Sequence, residues 1–123
     1  MDNIYNKVQL EEFIWENKNK VSVLYFGAEW CGPCKKLKER LMSEEAKLIM
    51  PNLVIGHLDI DSKENQNLCE LYKISSIPVQ IFISLNGTQI IEKKRIIGYD
   101  WVNFTMTYNS IIDEMNKIQE TVK

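Results

Sequence analysis

Trp30-Cys31-Gly32-Pro33-Cys34-Lys35 holds the residues of this chain best suited to chemistry. Two cysteines separated by two residues can close a small disulfide ring and reopen it. That is dithiol–disulfide exchange, provided the first thiol ionises and is accessible. Pro33 suits the first turn of a helix, where a missing N–H costs little. Cys31 then stands at a helix N-terminus, where free backbone N–H groups and the positive end of the helix dipole favour a thiolate. Cys34 follows one turn later on the same side, within reach of a mixed disulfide formed at Cys31. Two other readings compete. A zinc site needs four ligands when closed, and Cys69 and His57 are solitary and not in ligand spacing. A structural bridge over so short a loop stabilises little, because loop-closure entropy grows with loop length. Redox chemistry is favoured over both.

The elements that must position this pair are readable on either side of it. Val21–Phe26 is β-branched and aromatic, bounded by Gly27, and reads as a buried strand. After the cysteines, Leu37, Leu41 and Met42 are apolar with charge between them, which predicts an amphipathic helix running to about Met50, where Pro51-Asn52 stops it. Val8–Glu16 predicts a first helix with Leu10, Phe13, Ile14 and also Trp15 inward. Leu53–Ile60 predicts a second buried strand. Asp61-Ser62 offers a cap for a helix over Lys63–Tyr72, with Leu68, Leu71 and Tyr72 on its apolar side. Ile77–Ile83 reads as a strand that opens on Pro78. Asn86-Gly87 is a hairpin signal, Thr88–Ile97 the returning strand, and Gly98 its end. From Asp100 to about Glu120 a last helix repeats Trp101, Phe104, Tyr108, Ile111, Ile112, Met115 and Ile118 at three- and four-residue steps. A βαβ unit, a hairpin and a closing helix predict an α/β fold with a central mixed β-sheet flanked by helices on both faces.

At 123 residues the chain is one domain, 1–123, large enough for a hydrophobic core. Its 45% hydrophobic and 26% charged content is ordinary for a globular protein. A net charge of −2, with both signs interspersed, argues against nucleic acid or an anionic membrane as partner. Lys93-Lys94-Arg95 is short and reads as a solvated strand edge or turn. No apolar stretch reaches membrane-spanning length. The polar start, Met1–Lys7, lacks the layout of a secretory signal, and three cysteines are an odd count. The expected location is the cytoplasm, where thiols stay reduced.

Across nearly its whole length, from about Ile4 to Glu120, the chain resembles the thioredoxin family. The matching segments are Ala28–Lys35, Asp59-Ile60-Asp61, Ile77-Pro78, Asn86-Gly87 and Gly98. The resemblance implies a thioredoxin fold and a protein-disulfide reductase. Cys31 would be the nucleophile toward a client disulfide and Cys34 the resolving thiol. Pro78 would be cis beside them; otherwise it simply starts an edge strand. The Ile77 backbone would pair with an extended client segment. Trp30, Gly32, Pro33, Ile77, Pro78 and Gly98 would form the docking surface. The resemblance further implies disulfide-containing clients, no bound cofactor or metal, a monomer, and electrons from an NADPH-dependent flavoprotein such as a thioredoxin reductase. Thioredoxin folds also serve as binding modules or complex subunits, which is the competing function.

The chain departs from the family pattern in three places. The usual buried Asp six residues before the nucleophile is Tyr25, and the Lys that pairs with it is His57. Tyr25 is neutral at pH 7, so a proton relay to Cys34 would fall to the imidazole; alternatively His57 is a locally bonded strand residue. Gly27 stands where the family often has a second tryptophan, which predicts a smaller floor to the site. Lys38-Glu39-Arg40 runs through the place of a mid-helix proline, which predicts a straighter helix. Cys69, beside Leu68, reads as a small core residue, with a regulatory thiol as the alternative.

Overall fold

Val21–Gly27 (β2) is buried at every position, as a strand at the centre of a sheet covered on both faces should be. In the computed structural model, which describes residues 1–122 with side chains through Ile118, β2 pairs in parallel with Leu53–Asp59 (β3) and antiparallel with Val79–Asn86 (β4). Gln89–Ile97 (β5) forms the hairpin partner of β4, and the two-residue strand Asp2–Asn3 (β1) closes the other edge along β3. The sheet order is β1-β3-β2-β4-β5. The expected mixed sheet is present. β1 was not readable, because its two polar residues carry no alternating pattern.

The period-2 alternation of β2 divides the core. Val21, Val23 and Tyr25 meet Leu37 and Leu41 of Gly32–Leu41 (α2), Ala46 of Glu44–Ile49 (α3), and Phe104 and Tyr108 of Trp101–Val122 (α5). Leu24 and Phe26 face the opposite way, toward Leu10, Phe13 and Ile14 of Lys7–Glu16 (α1) and Leu68 of Gln66–Leu71 (α4).

Several expectations need correction. The single long helix after the cysteines is two: α2 ends at Leu41 and α3 begins at Glu44. Ser43 breaks it. Its Oγ donates to the Arg40 carbonyl (2.6 Å) and accepts from the Ala46 N–H (3.2 Å). The helix expected over Lys63–Tyr72 starts as a 3₁₀ turn, Lys63–Asn65, and Ser62 makes no side-chain cap. Leu71, the last residue of the α-helix Gln66–Leu71, is exposed although Leu68 is buried. Trp15 lies outside the core, with the Lys18 ammonium 5.4 Å from its ring. Ile118 is exposed too. A 22-residue helix rises about 33 Å whereas a seven-residue strand spans about 23 Å, so the end of α5 outruns the sheet beneath it.

Candidate active site

Cys31 is the N-cap of α2, with extended backbone (φ −87°, ψ 112°). Its Sγ accepts the backbone N–H of Cys34 at 3.3 Å. Cys31 and Cys34 are joined in a disulfide, with their Cα atoms 5.2 Å apart. Gly32 and Pro33 open the helix between them, and both are exposed. Pro33 leaves no N–H unsatisfied there. Both sulfur-bearing residues are sheltered, but Cys31 is the outer one, 6% exposed against 1% for Cys34.

The Ile77–Pro78 peptide bond is cis, as the resemblance implies. The Ile77 carbonyl oxygen lies 4.0 Å from Cys31 Sγ. Pro78 is buried and Ile77 half-buried. Gly98 turns the chain out of β5 with φ +92°, a conformation that favours glycine. Its N–H donates to the Pro78 carbonyl at 2.8 Å. Trp30 is 67% exposed, yet its Nε1 donates to the Asp61 carboxylate at 2.8 Å, which holds the ring in place. Nothing in the sequence pattern assigned Asp61 this part.

Tyr25 and His57 are directly paired in register across β2 and β3, so their side chains share a face. Their rings lie 5.1 Å apart. Together with Cys34 and Lys38 they line a cleft of about 310 Å³. The Tyr25 hydroxyl donates to the backbone carbonyl of Cys34 at 2.9 Å, not to its sulfur. Burial pushes the Tyr25 pKa up to about 12, so at neutral pH this hydroxyl is a donor. His57 is half-buried, and its Nδ1 lies 3.3 Å from Asn3 Oδ1 on β1. Burial lowers its pKa first of all. The Lys38 ammonium and the N-terminus lower it further, and Asp59 opposes them. The ring is therefore held toward its neutral form.

The floor beneath the site is not smaller for having Gly27. A Cβ there would meet the Tyr25 hydroxyl, because the tyrosine ring fills that space. Cys69 is half-buried instead of enclosed in the core. It lines a groove of about 450 Å³ with Trp30 and Ile77. Burial raises its thiol pKa, and Asp59 raises it further, which works against reactivity at neutral pH. Gln80 of β4 was missed altogether. A lone Gln in an apolar strand signals a buried polar group, but not what that group contacts.

The thioredoxin family model matches residues 3–99. A thioredoxin of Chlamydia pneumoniae is 40% identical over 73 residues, 59% of this chain and 64% of that protein. Thioredoxin-1 of Caenorhabditis elegans is 30% identical over 86 residues, 70% of each chain. The monothiol glutaredoxin-4 of Saccharomyces cerevisiae is 35% identical over 74 residues, 60% of this chain and 29% of that protein. The chain thus spans less than two thirds of the length of several curated relatives it matches, from 29% to 64%. The solved structure of Trichomonas vaginalis thioredoxin superposes with a TM-score of 0.74 at 24% identity, covering 90% of this chain and 96% of that one. A poplar thioredoxin h gives 0.73 at 23%, covering 91% and 96%. At such identity these two likenesses speak for the fold, while the family match extends through the cysteine pair, the cis proline and Gly98. The chain belongs to the thioredoxin family.

Proposed function

We propose that this chain is a protein-disulfide reductase working through Cys31 and Cys34. The observation that carries the reading is the disulfide closed at the N-terminus of α2, with the Ile77 carbonyl beside its outer sulfur. In the reduced protein the Cys31 thiolate attacks a client disulfide. A mixed disulfide forms and one client thiolate leaves. Cys34 then gives up its proton and attacks Cys31 Sγ. The mixed bond breaks, the second client thiolate leaves, and the Cys31–Cys34 disulfide remains. Two electrons have passed to the client. The Cys34 N–H that points at Cys31 Sγ supports the thiolate in the first step.

Trp30, Gly32, Pro33, Ile77, Pro78 and Gly98 form the client-docking surface in this reading, with the Ile77 backbone offered for strand-like pairing. Clients are disulfide-containing proteins. An NADPH-dependent flavoprotein reductase restores the dithiol, the chain itself holds no cofactor, and it acts as a monomer in the cytoplasm. The free Cys69 thiol, odd in a chain of three cysteines, supports a reducing setting. Among the described residues, no helix is long and apolar enough to cross a membrane.

His57 is the proton acceptor for Cys34 in this reading, through the cleft that both residues line. Tyr25 holds the Cys34 carbonyl and cannot accept the proton. One assay tests both parts: reduction of insulin disulfides with dithiothreitol as donor. Cys31→Ser should abolish turnover above the dithiothreitol background, and Cys34→Ser, reduced and then freed of dithiothreitol, should be trapped as a mixed disulfide at Cys31. A wild type no faster than dithiothreitol alone sinks the reductase reading and favours a binding module, and turnover surviving in Cys31→Ser overturns the role of Cys31. Across pH, the wild-type rate should fall on the acid side of the ordinary histidine value, as His57 becomes protonated. His57→Ala should be slower at neutral pH and lack that limb. An unchanged rate and profile would leave His57 a strand residue only.

A further inference from the structure

Gln80 is fully buried in β4, a strand of otherwise apolar inner residues. In the sheet register it lies opposite Tyr25 on β2 and Ile96 on β5, so it occupies the face of the core that carries the cysteine pair. Its Nε2 donates to the Gly98 carbonyl at 3.1 Å. Its Oε1 has no hydrogen-bond partner among the described residues. A half-satisfied buried amide is less favourable than an apolar side chain of the same shape. Stability alone therefore does not explain a glutamine here.

Gly98 explains it better. Its N–H is committed to the Pro78 carbonyl and its carbonyl to Gln80. Both polar groups of this one residue are thus tied to Pro78 and Gln80, on either side of Val79 at the start of β4. With φ +92°, Gly98 could otherwise turn its carbonyl outward, because glycine is free of the Cβ penalty that restricts other residues. We infer that Gln80 is a positioning residue for client docking. Its amide holds the Gly98 carbonyl inward and so fixes the backbone edge that Gly98 and Pro78 present beside Ile77 and Cys31.

This inference rests on the docking reading proposed above. Gln80→Leu removes the donor and keeps most of the volume; Gln80→Met is the alternative if the leucine variant does not fold. The measurement is the steady-state reduction of insulin disulfides with dithiothreitol as donor, read as separate KM and kcat. KM should rise about fivefold, the factor to which a hydrogen bond of about 1 kcal/mol converts, with kcat within about twofold of wild type. Trp30→Ala, an exposed docking residue, is measured alongside. An unchanged KM in the Gln80 variants overturns the inference. If Trp30→Ala also leaves KM unchanged, the docking reading falls with it; if Trp30→Ala raises KM, only the role of Gln80 falls. A loss of kcat in the Gln80 variants, whatever KM does, assigns the residue to the core alone and likewise overturns the inference.

Discussion

A Cβ atom placed on Gly27 would lie 2.7 Å from the Tyr25 hydroxyl oxygen and 2.9 Å from its Cζ. Real Cβ atoms do not sit so close to a neighbour, so a side chain at 27 would displace the Tyr25 ring from its bond to the Cys34 carbonyl or strain the strand. Read in the sequence, these were two separate departures from the family pattern, a lost carboxylate and a smaller floor. In the structure they are one: the ring that replaces the carboxylate lies over the glycine and bonds to the Cys34 carbonyl. A single sequence shows each substitution but not their contact, which depends on side-chain direction within the strand. Gly27→Ala should therefore destabilise the oxidised protein by about 1–3 kcal/mol, the usual cost of overpacking a core. In a Tyr25→Leu background, where no ring meets the new methyl, the cost of Gly27→Ala should shrink by about 1 kcal/mol or more. Urea denaturation of the four proteins measures this coupling. Equal costs in both backgrounds would show that the two residues act independently.

At the scale of elements, chemistry-bearing positions were more legible than helix boundaries. Cys31 at an N-cap and Pro33 in the first turn follow from local rules, and the structure places them so. The end of α2 did not follow, because Met42, Ala46 and Met50 continue an apolar pattern at four-residue steps straight through Ser43. The contrary signal was a serine followed by Glu44 and Glu45, a helix start with acids in its first turn. Capping outweighed periodicity there, and Ser43 now serves both helices. The helix expected to run on to Met50 thus ends at Leu41, with Met42 and Ser43 between α2 and α3. Ser43→Ala removes the acceptor for the Ala46 N–H and the donor to the Arg40 carbonyl. It should cost about 1 kcal/mol. Ser43→Asp, which keeps an acceptor at the cap, should recover part of it. Chemical denaturation at neutral pH gives both values. No loss in Ser43→Ala would mean that Leu41, Ala46 and Met50 hold the junction by packing alone.

Across the whole molecule, His57 joins parts of the chain that are far apart in sequence. It stands on β3, faces Tyr25 of β2, and shares a cleft with Lys38 of α2. β1 pairs beside it, with Asn3 opposite and the Ile4 N–H donating to the His57 carbonyl at 2.9 Å. This convergence was only half legible: the strand order predicted the Tyr25 neighbour, but nothing predicted β1. The consequence is a dependence of stability on pH with a definite sign. Burial, Lys38 and the N-terminus hold the His57 pKa below 6.5, and Asp59 only partly offsets them. The unfolded chain, with an ordinary histidine, then binds the proton more readily than the folded one. Stability from this source is intact above about pH 6.5 and declines as the pH falls through that value toward the lowered folded pKa. Carboxylates also titrate as the pH drops, so the informative quantity is the difference between wild type and His57→Gln, which cannot titrate. Between pH 7 and pH 5 the urea midpoint of the wild type should fall further than that of the variant. Parallel declines would mean that folding does not lower the His57 pKa and that its surroundings in the folded protein leave the imidazole as free to bind a proton as in the unfolded chain.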